Sequence, residues 1–456
     1  MPRMEPSRSR DDASRRRFLS RFFSLGAAWS AALVACRSKY RPDSDALEPR
    51  ALGAPVSEYG ARSTFEKAKR FVQQDRQVPL EESASQTPLH DTFGIITPSS
   101  LHFERHHSGV PQIDPARHTL TIHGLVDRPL VFTVDELKRL PSVSRIYFLE
   151  CSGNSRSEWR SSGATDAQRG HGLTSCSEWT GVPLSMLPKE CAVKPEGAWI
   201  LAEGADPGRH DRSIPIVKAM DDVMVAYGQN GEPLRPEQGY PLRLLVPGWE
   251  GNVNVKWLRR VKVLDRPAMS REETSKYTDL MPDGTARQFT FYMEAKSLIT
   301  RPSAGDRLRG AGVYELTGLA WSGRGAIARV EITIDGGQSW TAAELQTPVL
   351  PKAHTRFRWS WKWDGRDALL ASRATDETGY TQPTVQRLVE IRGVNSNYHN
   401  NGIQMWKVDS NGTVYVADTG NDQVKAYWPN GAVKWTQGTR GPKVLGKISA
   451  SSLTIC

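Results

Sequence analysis

The sequence predicts two folded domains in succession, an α+β domain and then an all-β sandwich of the immunoglobulin type. Between residues 87 and 270, strand-like and short helix-like segments interleave without regular β–α–β spacing, which favours α+β over a doubly wound sheet. Between residues 285 and 410, short alternating segments separated by frequent turns are typical of a β-sandwich. The chain has 456 residues, enough for about three domains of roughly 150 residues each.

Local patterns justify the elements of the first domain. Residues 133–141 predict a short helix, because Thr133 can cap its N-terminus and Glu136 occupies the capping-box position. Residues 144–151 are apolar and rich in β-formers, which predicts a strand that ends at a cysteine. Residues 241–265 predict two strands joined through a Pro-Gly loop.

The second domain carries a stronger strand signal. Trp359, Trp361 and Trp363 recur at every second residue, so one face of a single strand carries all three indoles. An Asp-Gly-Gly turn at 335–337 predicts a hairpin before that strand. A sandwich fixes no function by itself, and an exported, non-enzymatic binding protein remains an alternative at this point.

The N-terminus has the pattern of an export signal. Arg15 and Arg16 precede Phe18 and a modest apolar stretch, so residues 1–36 resemble a twin-arginine export leader. A basic amphipathic helix is the alternative. Because this route carries folded proteins, we expect a periplasmic protein with a cofactor already inserted. Cys36 ends a lipobox-like sequence, and it is either a lipid anchor or part of an ordinary cleavage region.

The remaining segments carry little functional signal. Residues 37–86 are polar and charged, as expected of a linker. Residues 411–456 resemble one NHL-type propeller repeat, and a single blade cannot bury its own faces. We therefore expect an atypical tail, either an added strand pair, a fusion remnant or a disordered segment, without a catalytic role.

Charge and cysteine usage exclude several classes of function. The net charge of +10 is not arranged as a basic stripe with aromatic residues, which argues against nucleic-acid binding. Five cysteines occur without a C-x-x-C pair or a C-x-x-C-H sequence, so neither a zinc ribbon nor a c-type haem on this chain is expected. Whether Cys176, Cys191 and Cys456 form disulfides stays open.

Cys151 is the candidate reactive group. A lone cysteine is most often a small buried apolar residue. Here Gly153 and Asn154 allow a sharp turn, and Arg156 adds positive charge that favours a thiolate. A thiolate is either a nucleophile or a ligand for a soft metal. The histidines of the segment 102–111 could assist a nucleophile, but no protease or acyltransferase signature surrounds the cysteine.

Several separated motifs together resemble the sulfite oxidase family of molybdenum enzymes. They are ECSGNSR, FERHHSGVP, EGADPGRHDRSIP, GYPLRLLVPGWEGNVNVKWL and REETSKYTDL, with GLAWSGRG and VEITIDGGQSW matching the family's dimerisation domain. TSKYTDLMPDG and VNSNYHNNGIQ are closer still to the SoxC branch, the molybdenum subunits of sulfane dehydrogenases. The resemblance covers roughly residues 85–410. It implies one molybdenum-molybdopterin cofactor per chain and makes Cys151 the metal ligand.

The resemblance also implies roles for individual residues. Substrate-site residues would be Arg105, Arg156, Tyr277 and, reaching in from the second domain, Arg356. Residues that bind the cofactor would be His107, Asp206, Gln238, Arg243, Asn254, Val255 and Lys256. Gln238 stands where the family usually has a histidine, so it can hydrogen-bond but cannot become cationic. The segment 160–172 has no match to the pocket tryptophan of animal sulfite oxidases, which predicts a more open pocket.

The implied function is oxidation of reduced sulfur, either sulfane sulfur on a carrier protein or sulfite, with electrons passed to cytochrome c. The implied partners are a dihaem c-type cytochrome subunit, the sulfur-carrier protein as substrate, and a second copy of this chain within a heterotetramer. A sulfite dehydrogenase that acts on free sulfite is the alternative within the family.

Overall fold

The computed structural model describes residues 55–73, 79–159 and 166–418, and the backbone of two further strands at 423–427 and 433–437. The proposed leader, Cys36, Cys456 and residues 160–165 lie outside this description. The chain divides into a short N-terminal unit that ends at Glu66 and a larger unit that begins at Lys67. The described part of the N-terminal unit has one turn, at residues 64–65. No helix in the described residues has the length and apolarity needed to cross a bilayer.

The α+β domain contains two five-stranded sheets. The first has Glu232–Pro233, Met224–Gln229, Thr174–Pro183 and Val143–Glu150 in this antiparallel order, and Arg243–Leu245 also pairs with Met224–Gln229. The second has the order Leu130–Thr133, Thr119–Gly124, Leu258–Leu264, Trp199–Gly204 and Asp211–Pro215. In the second sheet, Thr119–Gly124 and Leu258–Leu264 pair in parallel and the other pairs are antiparallel.

Smaller elements complete this domain. A three-stranded sheet joins Phe71–Gln73, Ala84–Gln86 and Glu104–Arg105, and Asp279–Leu280 pairs with Ala286–Arg287. The α-helices are short: Val134–Arg139, Ala167–His171, Met186–Cys191, Ile216–Ala219 and Arg271–Thr274. Single 3-10 turns lie at Leu80–Glu82, Leu89–Asp91, Ser99–Leu101, Arg156–Trp159, Pro236–Gln238 and Gly251–Val253.

The predicted capping box is confirmed. The Thr133 hydroxyl accepts the N–H of Glu136 at 3.2 Å, and the Glu136 carboxylate accepts the N–H of Thr133 at 2.8 Å. This exchange satisfies two backbone donors that the first turn would otherwise leave unpaired. Helix Val134–Arg139 buries Val134 and Leu137 and leaves its charged residues outside.

The second domain is a sandwich of two antiparallel sheets. One sheet has the order Lys296–Arg301, Gly312–Trp321, Thr355–Trp363 and Glu344–Leu345. The other has Thr341–Ala342, Ile327–Thr333, Ala368–Asp376, Met405–Val408, Val414–Asp418, Gln423–Tyr427 and Val433–Gln437. Helix Val385–Arg392 lies between two of these strands in sequence. The predicted order of an α+β domain followed by a sandwich is confirmed.

The two sheets of the sandwich share one core. Trp321, Phe357 and Trp361 from the first sheet lie in the same apolar cluster as Leu370 and Trp406 from the second. Phe148 and Cys176 of the α+β domain belong to this cluster as well, so the cores of the two domains meet. Within the described residues, Cys151, Cys176 and Cys191 are free thiols.

The predicted tail begins inside the sandwich. Strand Val414–Asp418 pairs with Met405–Val408, and Val414 and Val416 are buried in the shared core. The N–H of Leu308 donates to the carbonyl of Gly412 at 2.7 Å. Residues up to 418 therefore contribute to the stability of the second domain.

A pair of truncations tests this contribution. A chain that ends at Thr413 loses two buried valines, so its free energy of unfolding should fall by at least about 3 kcal/mol, at roughly 1.5 kcal/mol per buried valine. A chain that ends at Asp418 keeps both and is the matched control. Thermal unfolding measures the difference, and equal stability of the two truncated chains would contradict the assignment.

Candidate functional site

The loop that follows strand Val143–Glu150 holds Cys151 in a fixed turn. The N–H of Cys151 donates to Leu173 at 2.9 Å, and its carbonyl accepts the N–H of Asn154 at 2.8 Å. Gly251 packs against this turn so closely that a Cβ there would lie 2.8 Å from the carbonyl oxygen of Glu150. The strand end therefore fixes the cysteine, while the turn leaves the residue only partly buried.

Cys151 lies where two cavities meet. The smaller cavity has a volume of about 90 Å³ and the larger one about 950 Å³. The residues that line both are Arg105, His107, Cys151, Asp206, His210 and Tyr277. A group bound at the thiol would therefore contact both spaces.

Arg243 and Lys256 line the smaller cavity, and neither contacts a carboxylate among the described residues. Burial lowers the pKa of Arg243 to about 9, and its guanidinium donates to the carbonyls of Gln238 (3.1 Å) and Asn254 (3.2 Å). Burial, together with the charge of Arg243, lowers the pKa of Lys256 to about 7. Among the residues that the structure describes, the Lys256 ammonium hydrogen-bonds to neutral groups, including the carbonyls of Arg105 and Glu237. Two such cations favour a bound anion, because an anion offsets their desolvation.

Three buried polar atoms of residues that line this cavity have no hydrogen-bond partner in the described residues: Nε of Arg243, Nε2 of His102 and Nδ1 of His210. Buried polar atoms are normally paired, so these atoms favour a polar ligand. Together with a thiol that can serve as a soft ligand, the cavity fits an anionic, polar cofactor that carries a metal. The residues of this cavity therefore fit the molybdenum-molybdopterin cofactor that the family resemblance implies.

Three aromatic side chains, Tyr277, His107 and His210, line the smaller cavity together with Cys151. The Tyr277 hydroxyl and His107 Nε2 share a hydrogen bond of 2.8 Å, and the His210 ring lies 6.0 Å from that of His107. Burial and then Arg105 lower the pKa of His107 to about 3, so this ring is neutral at pH 7. Burial and the nearby Cys151 raise the pKa of Tyr277 well above its usual value, so its hydroxyl keeps its proton.

The larger cavity is lined by more cations than anions. Its cationic side chains are Arg105, Arg156, Arg169, Arg271 and Lys276, against the carboxylates of Glu82, Asp206 and Glu272. Arg156 donates to Asn397 at 3.3 Å, and the ring of Tyr398 lies 5.4 Å from that of Tyr277. The excess of cations favours an anionic substrate.

The structure brings most of the predicted residues together. The predicted residues that line one or both cavities are Arg105, His107, Cys151, Arg156, Asp206, Gln238, Arg243, Asn254, Lys256 and Tyr277. The Gln238 amide donates to Phe103 at 2.9 Å. The side-chain oxygen of Asn254 accepts the N–H of Val246 at 2.7 Å, so this oxygen is already used within the protein.

Two predicted residues do not reach the site. Val255 does not line either cavity, because its side chain is buried in the core of the α+β domain. Arg356, which was predicted to reach in from the second domain, is directed elsewhere in this structure. Its guanidinium donates to the carbonyls of Gly94 (2.9 Å) and Thr92 (3.0 Å), and it lines neither cavity. The second domain contributes Asn397 and Tyr398 instead.

His210, Asn397 and Tyr398 line the cavities, although they are not among the predicted site residues. All three lie within motifs that carry the family resemblance, so a signal was present. Tyr398 lies 121 residues after Tyr277 in sequence, yet its hydroxyl accepts the N–H of Tyr277. The sequence alone does not show that this loop of the second domain lies against Tyr277.

Comparisons with known proteins agree with this geometry. Residues 107–272 match the oxidoreductase molybdopterin binding domain, and residues 287–406 match the Mo-co oxidoreductase dimerisation domain. The chain is similar to the solved structure of the sulfane dehydrogenase SoxCD from Paracoccus pantotrophus, with 48% identity and a TM-score of 0.80. That similarity covers 82% of this chain and 98% of the other. The chain belongs to the sulfite oxidase family of molybdopterin oxidoreductases.

More distant relatives share only part of their length. The mitochondrial sulfite oxidase of Drosophila melanogaster is 34% identical over 66% of this chain and 58% of its own length. The NADH nitrate reductase of Solanum lycopersicum is 36% identical over 64% of this chain and 36% of its own length. The family implies a molybdenum-molybdopterin cofactor and an enzyme, which removes the alternative of a non-enzymatic binding protein.

Replacing Arg243 separates cofactor binding from folding. Arg243→Met should lower the molybdenum content of purified protein at least about tenfold, because the anionic part of the cofactor loses a buried cation, at about 1.4 kcal/mol per factor of ten. The cofactor-free protein should keep its stability within about 1 kcal/mol, since the desolvation cost of the cation offsets its hydrogen bonds.

Metal analysis and thermal unfolding measure the two effects. Arg259→Met is the control, because Arg259 pairs with Glu203 outside both cavities. Normal molybdenum content in the Arg243 variant would rule out this role.

Proposed function

We propose that this enzyme oxidises sulfane sulfur held on a carrier protein and passes the electrons to a c-type cytochrome. The observation that supports this most is the volume of the cationic cavity at Cys151, about 950 Å³. A sulfite ion needs only a small fraction of that space, whereas a sulfur group on a protein arm needs an open approach. The similarity to SoxCD, whose name is sulfane dehydrogenase, supports the same choice.

The residues of the chain divide the work between binding and orientation. When bound, the molybdenum cofactor supplies two-electron transfer of an oxygen atom. Cys151 would be its protein ligand, and Arg243 and Lys256 would neutralise its anionic end. Arg105 and Arg156 would attract and orient an anionic sulfur group. The Tyr277 hydroxyl, which keeps its proton, would donate a hydrogen bond to the bound substrate.

We further propose the assembly and location of the enzyme. The similarity to SoxCD supports a cytochrome partner, and the dimerisation domain supports a homodimer of this chain. Two haems in that partner and a heterotetrameric assembly belong to the same proposal. Export to the periplasm by the twin-arginine route rests on Arg15 and Arg16, and lipidation of Cys36 on its lipobox-like sequence.

Removing the thiol tests its role as a ligand. Cys151→Ser should abolish turnover while thermal unfolding stays close to that of the original protein, since a hydroxyl fits the same turn but is a poor ligand for a soft metal. Cys176→Ala is the control, because that buried cysteine lines neither cavity. Full turnover by Cys151→Ser would refute the assignment.

Arg156 should affect binding of an anion more than the chemical step. Arg156→Gln should raise KM about threefold to tenfold at low ionic strength and less at 0.5 M salt, where charges are screened over about 4 Å. Steady-state kinetics at several salt concentrations measure this. Arg366→Gln, at an exposed arginine of the sandwich, is the control. A KM of Arg156→Gln that equals that of the original protein at low ionic strength would contradict the role.

Substrate competition separates the proposed function from its alternative. Purified enzyme should reduce cytochrome c with carrier protein that holds a cysteine persulfide at a kcat/KM at least about 100-fold above that for free sulfite, a difference of roughly 2.7 kcal/mol. Nitrate with a reduced electron donor serves as a further arm, because nitrate reductases are among the relatives. A preference for free sulfite would identify a sulfite dehydrogenase instead.

A further inference from the structure

A buried ion pair ties the Cys151 turn to the second domain. Lys296 begins the first strand of the sandwich, and its ammonium lies 3.1 Å from a carboxylate oxygen of Glu150, the residue before Cys151. The two side chains are 2% and 1% exposed. The two residues are 146 positions apart in sequence, so the contact exists only when both domains are folded and docked.

Lys296 also reaches the far end of the same turn. Its ammonium donates to the Ser155 hydroxyl at 3.0 Å and to the carbonyl of Asn400 at 2.8 Å. The Asn400 amide in turn donates to the carbonyl of Ser155 at 3.1 Å. All three protons of the ammonium are therefore used, and the single cation bridges both ends of the segment 150–155.

The remaining contacts of the Glu150 carboxylate also join the Cys151 turn to the sandwich. It accepts the indole N–H of Trp321 at 2.7 Å and the amide of Asn154 at 2.9 Å. The sandwich also contacts the middle of the turn, because the N–H of His399 donates to the carbonyl of Ser152 at 2.8 Å. Ser155 and His399 both have left-handed backbone conformations, with φ of 61° and 56°. Non-glycine residues adopt this conformation at a cost, which the surrounding contacts must offset.

We propose that Lys296 is a positioning residue through which the sandwich domain holds the Cys151 thiol in the geometry that binds the metal. The inference rests on the proposed role of Cys151 as the metal ligand. The second domain would thus control the cofactor site in addition to forming a dimer, although Lys296 itself touches neither cofactor nor substrate. An isolated structural role would stabilise the domain contact without affecting the thiol.

The first test uses the full-length protein without cofactor. In Lys296→Met, Cys151 should react with iodoacetamide at least about tenfold faster than in the original protein, because local opening of the turn becomes easier. Mass spectrometry of the labelled peptides follows each thiol, with buried Cys176 as the internal reference. An unchanged alkylation rate at Cys151 would overturn the proposal.

A matched control separates positioning from stability. Lys352→Met removes another ion pair between the domains, in which the lysine contacts Asp222 at 2.6 Å and not the Cys151 turn. It should lower the melting temperature without changing alkylation of Cys151. Equal acceleration in both lysine variants would mean that general loosening, and not Lys296, is responsible, and would also overturn the proposal.

A double variant guards against misfolding. Lys296→Met alone leaves the Glu150 charge buried and unpaired, whereas Glu150→Gln with Lys296→Met removes both charges and should fold. The double variant still lacks the donors to Ser155 and Asn400, so Cys151 should again be alkylated faster. An alkylation rate equal to that of the original protein in a folded double variant would contradict the proposal.

Spectroscopy of the loaded enzyme distinguishes this inference from the proposed function. If Cys151 is the ligand, its charge-transfer absorption should shift in the double variant and disappear in Cys151→Ser. Were that absorption intact in Cys151→Ser, the ligand role would fail, and the alkylation rates would still report whether Lys296 positions the turn.

Discussion

The buried contact between Glu150 and Lys296 is the constraint on which the arrangement of this enzyme depends. A buried ion pair gains little over an apolar pair, but removing one partner costs about 3–5 kcal/mol because a charge is left without compensation. Glu150 ends the strand that leads into Cys151, and Lys296 starts the first strand of the sandwich. The two domains must therefore dock in one register before the site is complete.

The site itself combines two opposite electrostatic environments. On one side of Cys151, Arg243 is buried and Lys256 is partly buried, and neither has a carboxylate in contact among the described residues, a costly arrangement that a bound anion relieves. On the other side, Arg156 lines a larger cavity whose cationic side chains outnumber its carboxylates, which favours a charged group. The thiol at their junction is thus set between a space that suits a resident cofactor and a space that suits a substrate.

Local patterns predicted much of the fold. The capping box at Thr133, the strand that ends before Cys151 and the alternating tryptophans of Thr355–Trp363 each follow from interactions between residues close in sequence. Residues 411–418 were harder, because the repeat-like pattern concealed two valines that pack in the sandwich core. The ends of the helices and strands followed less directly, since tertiary packing decides them.

Contacts across long separations could not be predicted in this way. An arginine has a similar local sequence pattern whether it lines a cavity or hydrogen-bonds to a loop. The sequence therefore predicts Arg356 at the site, whereas its guanidinium donates to the carbonyls of Thr92 and Gly94. The bond from Lys296 to Glu150 likewise has no local signature. X-ray absorption at the molybdenum edge tests the central claim most directly. The number of sulfur neighbours should fall by one between the original enzyme and Cys151→Ser, and an unchanged number would contradict the account.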